Sequence, residues 1–206
     1  MKRPAAILLA AGSSTRLGQE KQELSYRGKS FLRRLAIELG AIASPLVVVL
    51  PESRRDLARE LNGLETETVF PPSVQAGMGV SLALGARALL ARHELHGVIV
   101  ALVDQPLADR RLFAVLERTA LGGSGWAASD YGNGAWGVPA RFPAAAIAEL
   151  TALSGDRGAK ALLEARRERG ELLLVPFPGG RFDVDSEADY ARLLELAGEA
   201  GGEPSG

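Results

Sequence analysis

The sequence contains no cysteine and only two histidines, His93 and His96. The first absence removes disulfides, thiolate metal sites and cysteine nucleophiles, and it fits a cytoplasmic protein. The second leaves little imidazole chemistry. In "ARHELHG" the two histidines are neighbours on one helical face, but no third nitrogen or sulfur ligand exists, so an exposed helix end is a plainer reading than a metal site. There is no Ser-His-Asp order and no G-x-S-x-G elbow at the end of a strand, which leaves hydrolase chemistry poorly supported. No window reaches the roughly 18 uncharged apolar residues of a membrane-spanning helix. Charge surplus is missing too: 24 lysines and arginines stand against 25 aspartates and glutamates, a net charge of -1. No whole-chain field would therefore draw the protein to nucleic acid or membrane, and any anion site must be local. A soluble, cytoplasmic protein is expected.

What is present reads as one α/β unit. The opening Met1-Lys2-Arg3 and the short apolar run Ala5 to Ala11 have the look of a signal peptide, but the run leads into a glycine loop and is read as a first strand. Short continuous apolar runs recur at Ala5 to Ala10, Leu46 to Leu50, Val98 to Val103 and Leu172 to Pro176, as buried parallel strands do. Helical period fills the gaps at Ser30 to Ala43, Ser53 to Leu61, Val80 to Arg92, Arg110 to Leu121, Pro143 to Leu153 and Arg157 to Arg169. Gly122 to Gly137, rich in glycine and aromatics, is expected to be less regular, with an extra strand or hairpin. Alternating strand and helix predicts an open, mostly parallel sheet flanked by helices. No internal repeat is visible. Residues 1–196 are expected to form one domain, with Ala197 to Gly206 a frayed tail.

The loop after the first strand, "LAAGSSTRLGQEK", carries the first candidate chemistry. In an open parallel sheet the ligand crevice lies beyond the carboxyl ends of the strands, and this loop leaves such an end. Main-chain N–H groups around Gly12 and Ser13 could cradle an anion, and Arg16 and Lys21 add positive charge that suits phosphate oxygens. A solvated turn is the competing reading. Two familiar phosphate loops fail by counting. A dinucleotide fingerprint needs GxGxxG, yet Ser14 and Thr15 follow where glycine is required, and a Walker loop needs GxxxxGK[ST], yet Gly12 and Gly18 are too far apart and Gln22 follows Lys21.

Further candidates lie at the ends of later strands. "VIVALVDQP" closes on Asp104, which suits either a hard cation such as Mg²⁺ shared with substrate phosphates or the N-cap of the following helix. In "RFDVDSEADYARLL", Asp183 and Asp185 alternate along an extended segment and could jointly face a metal, while Asp185 or Ser186 would also serve as a helix cap. "QAGMGVSLALG" brings glycines to a helix start carrying Ser81, as a turn and cap or as a rim for a ligand's polar edge. "SGDRGAKALL" sets Asp156, Arg157 and Lys160 before another helix, where cations oppose the dipole and hint at an anionic partner.

Taken in order, these segments resemble a family. "LAAGSSTRLGQEK" is similar to the signature L-A-A-G-x-S-x-R-[ML]-G-x-x-K of the molybdenum cofactor cytidylyltransferase branch of the MobA-like nucleotidyltransferases. "DQP", "GMGVSL", "GVPARF", "LSGDRGAKALL" and "DVDSEADY" follow in the family's order, so the likeness runs from Leu9 to about Leu194. It implies a Rossmann-like nucleotidyltransferase fold that moves CMP from CTP to the terminal phosphate of molybdenum-bearing molybdopterin, releasing pyrophosphate, with Mg²⁺ or Mn²⁺. Carried over, Leu9, Ala10, Ala11, Gly12, Ser13, Ser14, Arg16 and Lys21 would hold the nucleotide with Gly77, Ser81 and Asp104. Arg16, Lys21 and Asp104 would be catalytic, and Asp104 with Asp183 or Asp185 would bind the metal. A molybdoenzyme or its chaperone would be the protein partner. Guanylyltransferase relatives read L-A-G-G and D-T-P or D-M-P, whereas Ala11 and Gln105 here favour a pyrimidine. Phe70, Pro71 and Pro72 replace the usual asparagine and proline, and Gly79 a serine, which bears on the acceptor. The rival readings are transfer to another phosphorylated acceptor such as a sugar phosphate, a GTP-using guanylyltransferase, and a non-catalytic protein that binds and delivers nucleotide or cofactor.

Overall fold

A computed structural model describes residues 2–12, 20–72, 77–91, 94–156, 158–182, 184 and 186–198. In chain order the elements are β1 (Ala5–Leu9), β2 (Ser25–Tyr26), β3 (Lys29–Ser30), α1 (Phe31–Gly40), β4 (Leu46–Val49), β5 (Glu67–Val69), α2 (Gly77–Leu90) and β6 (Gly97–Leu102). Then follow α3 (Arg110–Leu121), β7 (Trp126–Gly132), β8 (Ala135–Pro143), α4 (Ile147–Thr151), α5 (Lys160–Glu168), β9 (Leu172–Pro176) and α6 (Glu187–Ala197). Seven strands form one sheet in the order β5-β4-β1-β6-β8-β7-β9. Only β8 runs against the rest of this sheet: it is antiparallel to β6 and β7, while the other adjacent pairs are parallel.

Alternation along the buried strands divides the core into two layers. Ala6, Leu8 and Ala10 face a layer built by α1, α3 and α6, where Phe31, Leu35, Phe113 and Leu193 pack. Ala5, Ile7, Leu9 and Ala11 face the opposite layer of α2, α4 and α5 with Leu82, Leu89, Leu150 and Leu163. Both faces of the sheet are thus covered, which is why these strands read as continuous apolar runs. The four expected strands fall on β1, β4, β6 and β9.

The structure departs from the sequence reading where local pattern and tertiary pairing diverge. The helix expected from Ser53 is a run of 3-10 turns, Glu52–Leu61, broken at Arg54 by a φ of -128° and ψ of 50°. The helix expected from Pro143 begins later, because β8 extends through Pro143 and a 3-10 turn at Ala144–Ala146 precedes α4. Gly122 to Gly137 resolves into a turn and the β7–β8 hairpin. Helix α2 starts at Gly77, earlier than Val80, and α5 runs Lys160–Glu168. The short β2–β3 hairpin and the edge strand β5 carry no apolar run and had no signal in the sequence. Ala197, expected to open a frayed tail, is the last residue of α6 and packs on the core; residues 199–206 lie outside the described ones. Among the described residues no helix is long and apolar enough to cross a membrane.

Candidate active site

The carboxyl ends of β1 and β6 lie side by side, with Leu9 opposite Leu102, so the segments that leave them share one rim. There a cavity of about 370 Å³ opens between these strand ends and the N-terminus of α2. Leu9, Ala11, Gly12, Lys21, Gly77, Ser81 and Asp104 line it, which brings seven of the sequence candidates to one place. Ala10 is not among them. Strand alternation turns it to the other layer, where it is fully buried. Ser13, Ser14, Arg16, Asp183 and Asp185 lie outside the described residues.

Two capping questions left open by the sequence are answered. Asp109, not Asp104, caps α3: its carboxylate accepts the N–H groups of Arg111 and Leu112, each at 3.0 Å. Asp104 is left at the cavity, half-buried, with its Oδ1 out of solvent. The cap of α6 is Ser186, whose hydroxyl accepts from the N–H of Asp189 while Asp189 accepts from the N–H of Ser186. Such a reciprocal box satisfies the helix start without an upstream aspartate.

Helix α2 begins at the cavity because its first turn docks on the loop before α5. Gly77 has φ +85°, and a Cβ on it would lie 2.5 Å from both the carbonyl oxygen of Gly155 and Oδ1 of Asp156. The N–H of Gly79 donates to the Gly155 carbonyl at 2.8 Å. "GMG" and "SGD" are therefore two halves of one contact, and this contact sets Asp156 and Met78 in the cavity wall. The motifs looked independent in sequence; close packing couples them.

Sequence reasoning missed Gln22. It is fully buried, and its Nε2 donates to the carbonyls of Ala10 at 2.7 Å and Gly12 at 3.3 Å, clamping the chain on either side of Ala11. Its Oε1 is buried without a hydrogen-bond partner among the described residues, at the cavity wall. Nothing but its place one residue after Lys21 marked it. Gln22→Met should orphan both carbonyls and destabilise the protein by about 1–3 kcal/mol, read as a lower urea midpoint at unchanged slope; a change under about 0.5 kcal/mol, the range of ordinary surface substitutions, would remove the clamp.

Gln105 serves elsewhere. It is buried, and its Nε2 donates to the Val138 carbonyl at 3.0 Å and the Tyr131 hydroxyl at 3.2 Å, while the Tyr131 hydroxyl itself donates to the Val138 carbonyl. It anchors the β7–β8 hairpin to the Asp104 turn and does not line the cavity. Lys160, at the start of α5, donates to the carbonyl of Trp136 at 2.9 Å and lies over its ring at 3.4 Å; burial lowers its pKa. Those contacts answer the unfavourable dipole position noted in the sequence.

The site combines a cation, a carboxylate, a hydroxyl and a helix N-terminus around a ligand-sized cavity, a set suited to phosphate groups and a hard metal. Among the described residues no three His, Cys, Asp or Glu side chains cluster as a metal site. A metal here would draw on one or two protein carboxylates and on substrate oxygens.

Comparison with known proteins agrees. Residues 6–170 match the profile of the MobA-like NTP transferase domain. The chain is 28% identical over 197 residues to purine catabolism protein PucB of Bacillus subtilis, covering 89% of this chain and 92% of that protein. It is 28% identical over 180 residues to a probable molybdenum cofactor guanylyltransferase of Opitutus terrae, covering 84% of each. Among solved structures, Rv0371c of Mycobacterium tuberculosis superposes with a TM-score of 0.75 at 27% identity, covering 94% of this chain and 98% of that one. Rv0371c has also been solved as a manganese complex, similar to this chain with a TM-score of 0.70 at 25% identity, covering 94% and 99%.

Proposed function

Since the chain belongs to the MobA-like NTP transferase family and is a nucleotidyltransferase of that kind, we propose that it transfers CMP from CTP to the terminal phosphate of a molybdenum-bearing molybdopterin, releasing pyrophosphate. The observation that carries this reading is the convergence of Lys21, Gly12 and Asp104 on one cavity at the ends of β1 and β6. Lys21, with Arg16, serves the triphosphate; Ser81 and the start of α2 serve its polar edge. The name of the Opitutus relative supports a molybdopterin acceptor and that of the manganese complex supports a divalent metal. The base choice rests on Ala11, which lines the cavity and is only 7% exposed. Its methyl group occupies space that glycine would leave open, and less space favours a pyrimidine over a purine.

An acceptor phosphate is already an anion, so it needs no strong general base. Its oxygen bonds to the α-phosphorus in line as the bond from that phosphorus to the bridging α–β oxygen breaks, and pyrophosphate leaves with that electron pair. Lys21 and Arg16 offset the negative charge gathering on the leaving group. Asp104, with Asp183 or Asp185, would hold Mg²⁺ or Mn²⁺. Such an ion supplies a template and Lewis acid for phosphate oxygens. The carboxylates of Asp104 and Asp156 and the hydroxyl of Ser81 at the cavity, with Oδ1 of Asp104 buried, fit a hard cation.

A screen of the four nucleoside triphosphates against molybdenum cofactor and sugar phosphates, with pyrophosphate release as readout, tests the reading. Release is expected with CTP and molybdenum cofactor. Preference for GTP would overturn the base, preference for a sugar phosphate the acceptor, and nucleotide binding with no release in any pairing the reaction.

A further inference from the structure

A second concave feature, about 490 Å³ in volume, lies between the β2–β3 hairpin, α1 and the start of α3. Arg27, Lys29, Arg34, Arg110 and Arg111 line it against two carboxylates, Glu38 and Asp109. Both carboxylates are already engaged. Glu38 accepts the main-chain N–H of Arg110 at 2.9 Å and its guanidinium at 2.7 and 3.1 Å, and Asp109 caps α3. In a chain of net charge -1, five cations gathered in one cleft against two carboxylates, one held by Arg110 and the other by the α3 cap, are not an ordinary solvated face.

Two details show that the cations are held there. Arg34, half-buried, donates to the carbonyls of Pro106 and Ala108 at 2.5 and 3.1 Å, and this burial lowers its pKa. Arg27 has a φ of 53° in a two-residue turn with Gly28, between the paired residues Tyr26 and Lys29. Turns of this kind favour Asn-Gly, and an arginine in left-handed backbone is an outlier that asks for a reason. Arg27 and Arg34 both lie 5.2 Å from the centre of the Tyr26 ring, and the charge of Arg27 adds to the lowering of the Arg34 pKa.

We propose that this cleft is a second anion site, apart from the cavity at Asp104, which takes a di- or triphosphate group. Guanidinium forks match phosphate oxygens in pairs. An acidic protein surface is the weaker fit, because among the described residues Ile37 is the only apolar side chain lining the cleft and Tyr26, buried, is not exposed there as an aromatic anchor. The proposal asks only for anion binding and does not depend on the nucleotidyl-transfer reading.

The test is a titration of the full chain with inorganic pyrophosphate, without divalent metal and at low salt, followed through backbone amide shifts. Saturable shifts are expected at Gly28, Arg110 and Arg111. They should persist in Lys21→Ala and weaken at least about tenfold in the triple variant Arg27→Asn, Lys29→Gln, Arg111→Gln, given the charge-assisted bonds removed. Asparagine suits the turn, so that variant should melt no lower than the parent. A parallel titration with CTP assigns the source: tighter binding of pyrophosphate points to the free ion, tighter binding of CTP to a nucleotide tail. The proposal is overturned if shifts appear only around Gly12 and vanish in Lys21→Ala, if binding fails to saturate by about 10 mM, or if a hexa-aspartate peptide shifts the same amides as tightly.

Discussion

Asp104→Asn is expected to lower pyrophosphate release from CTP and acceptor by at least about 100-fold, the scale of losing one preorganised electrostatic contact to the transition state. The melting temperature should stay within about 2 °C, as for a change that costs under about 1 kcal/mol in a chain of this size. The two halves of that result have separate causes. Asparagine keeps the size and shape of the side chain, and the capping of α3 falls to Asp109, so the fold loses little. What is lost is a negative charge at the cavity wall, next to where a divalent ion and a triphosphate would meet. A neutral amide is a poor ligand for a hard cation, so raising the metal concentration should recover part of the rate. Activity within a factor of two of the parent would remove Asp104 from the reaction, and loss of the folded state would assign it a structural task.

The same residue shows how far the sequence could be read. A short apolar run ending in aspartate located both strand β6 and the rim of the crevice, because strand ends and ligand sites coincide in open α/β sheets. The sequence could not choose between cap and ligand for Asp104: that depends on where α3 starts, and Asp109 lies only five residues on. Gln22 was invisible for another reason. Its importance comes from two carbonyls twelve and ten residues back in the chain, a geometry no periodicity encodes. The edge strand β5 and the β2–β3 hairpin follow the same logic, since half-buried or exposed pairs carry no apolar run. The interlock of Gly77 and Gly79 with Ser154 to Asp156 joins segments about 80 residues apart, and only packing reveals why a side chain has no room at Gly77 and Gly79.

Arg141→Met is expected to cost about 3–5 kcal/mol, the usual penalty for stranding one partner of a buried ion pair. That corresponds to roughly 10 °C in melting temperature for a domain of this size. Arg141 lies on β8 and is 2% exposed. Its Nε donates to Glu117 of α3 at 3.0 Å, and its two terminal nitrogens donate at 2.8 Å to the carbonyls of Gly125 and His96. One side chain therefore ties the starts of β6 and β7 to α3. Gly97 belongs to the same arrangement, since a Cβ there would lie 2.5 Å from the guanidinium carbon. Removing Glu117 as well, in Arg141→Met with Glu117→Leu, should recover part of the loss, because the stranded carboxylate disappears. Recovery should stop short of the parent, since the carbonyls of Gly125 and His96 remain without their donor, each at about 1–3 kcal/mol if left unsatisfied. Urea denaturation of the two single variants and the double variant closes the cycle; additive losses would mean that Arg141 and Glu117 do not act as a pair. Turnover of the protein that remains folded should match the parent, because Arg141 contacts the beginning of β6 and Asp104 follows its end, roughly 20 Å away at the rise of an extended strand.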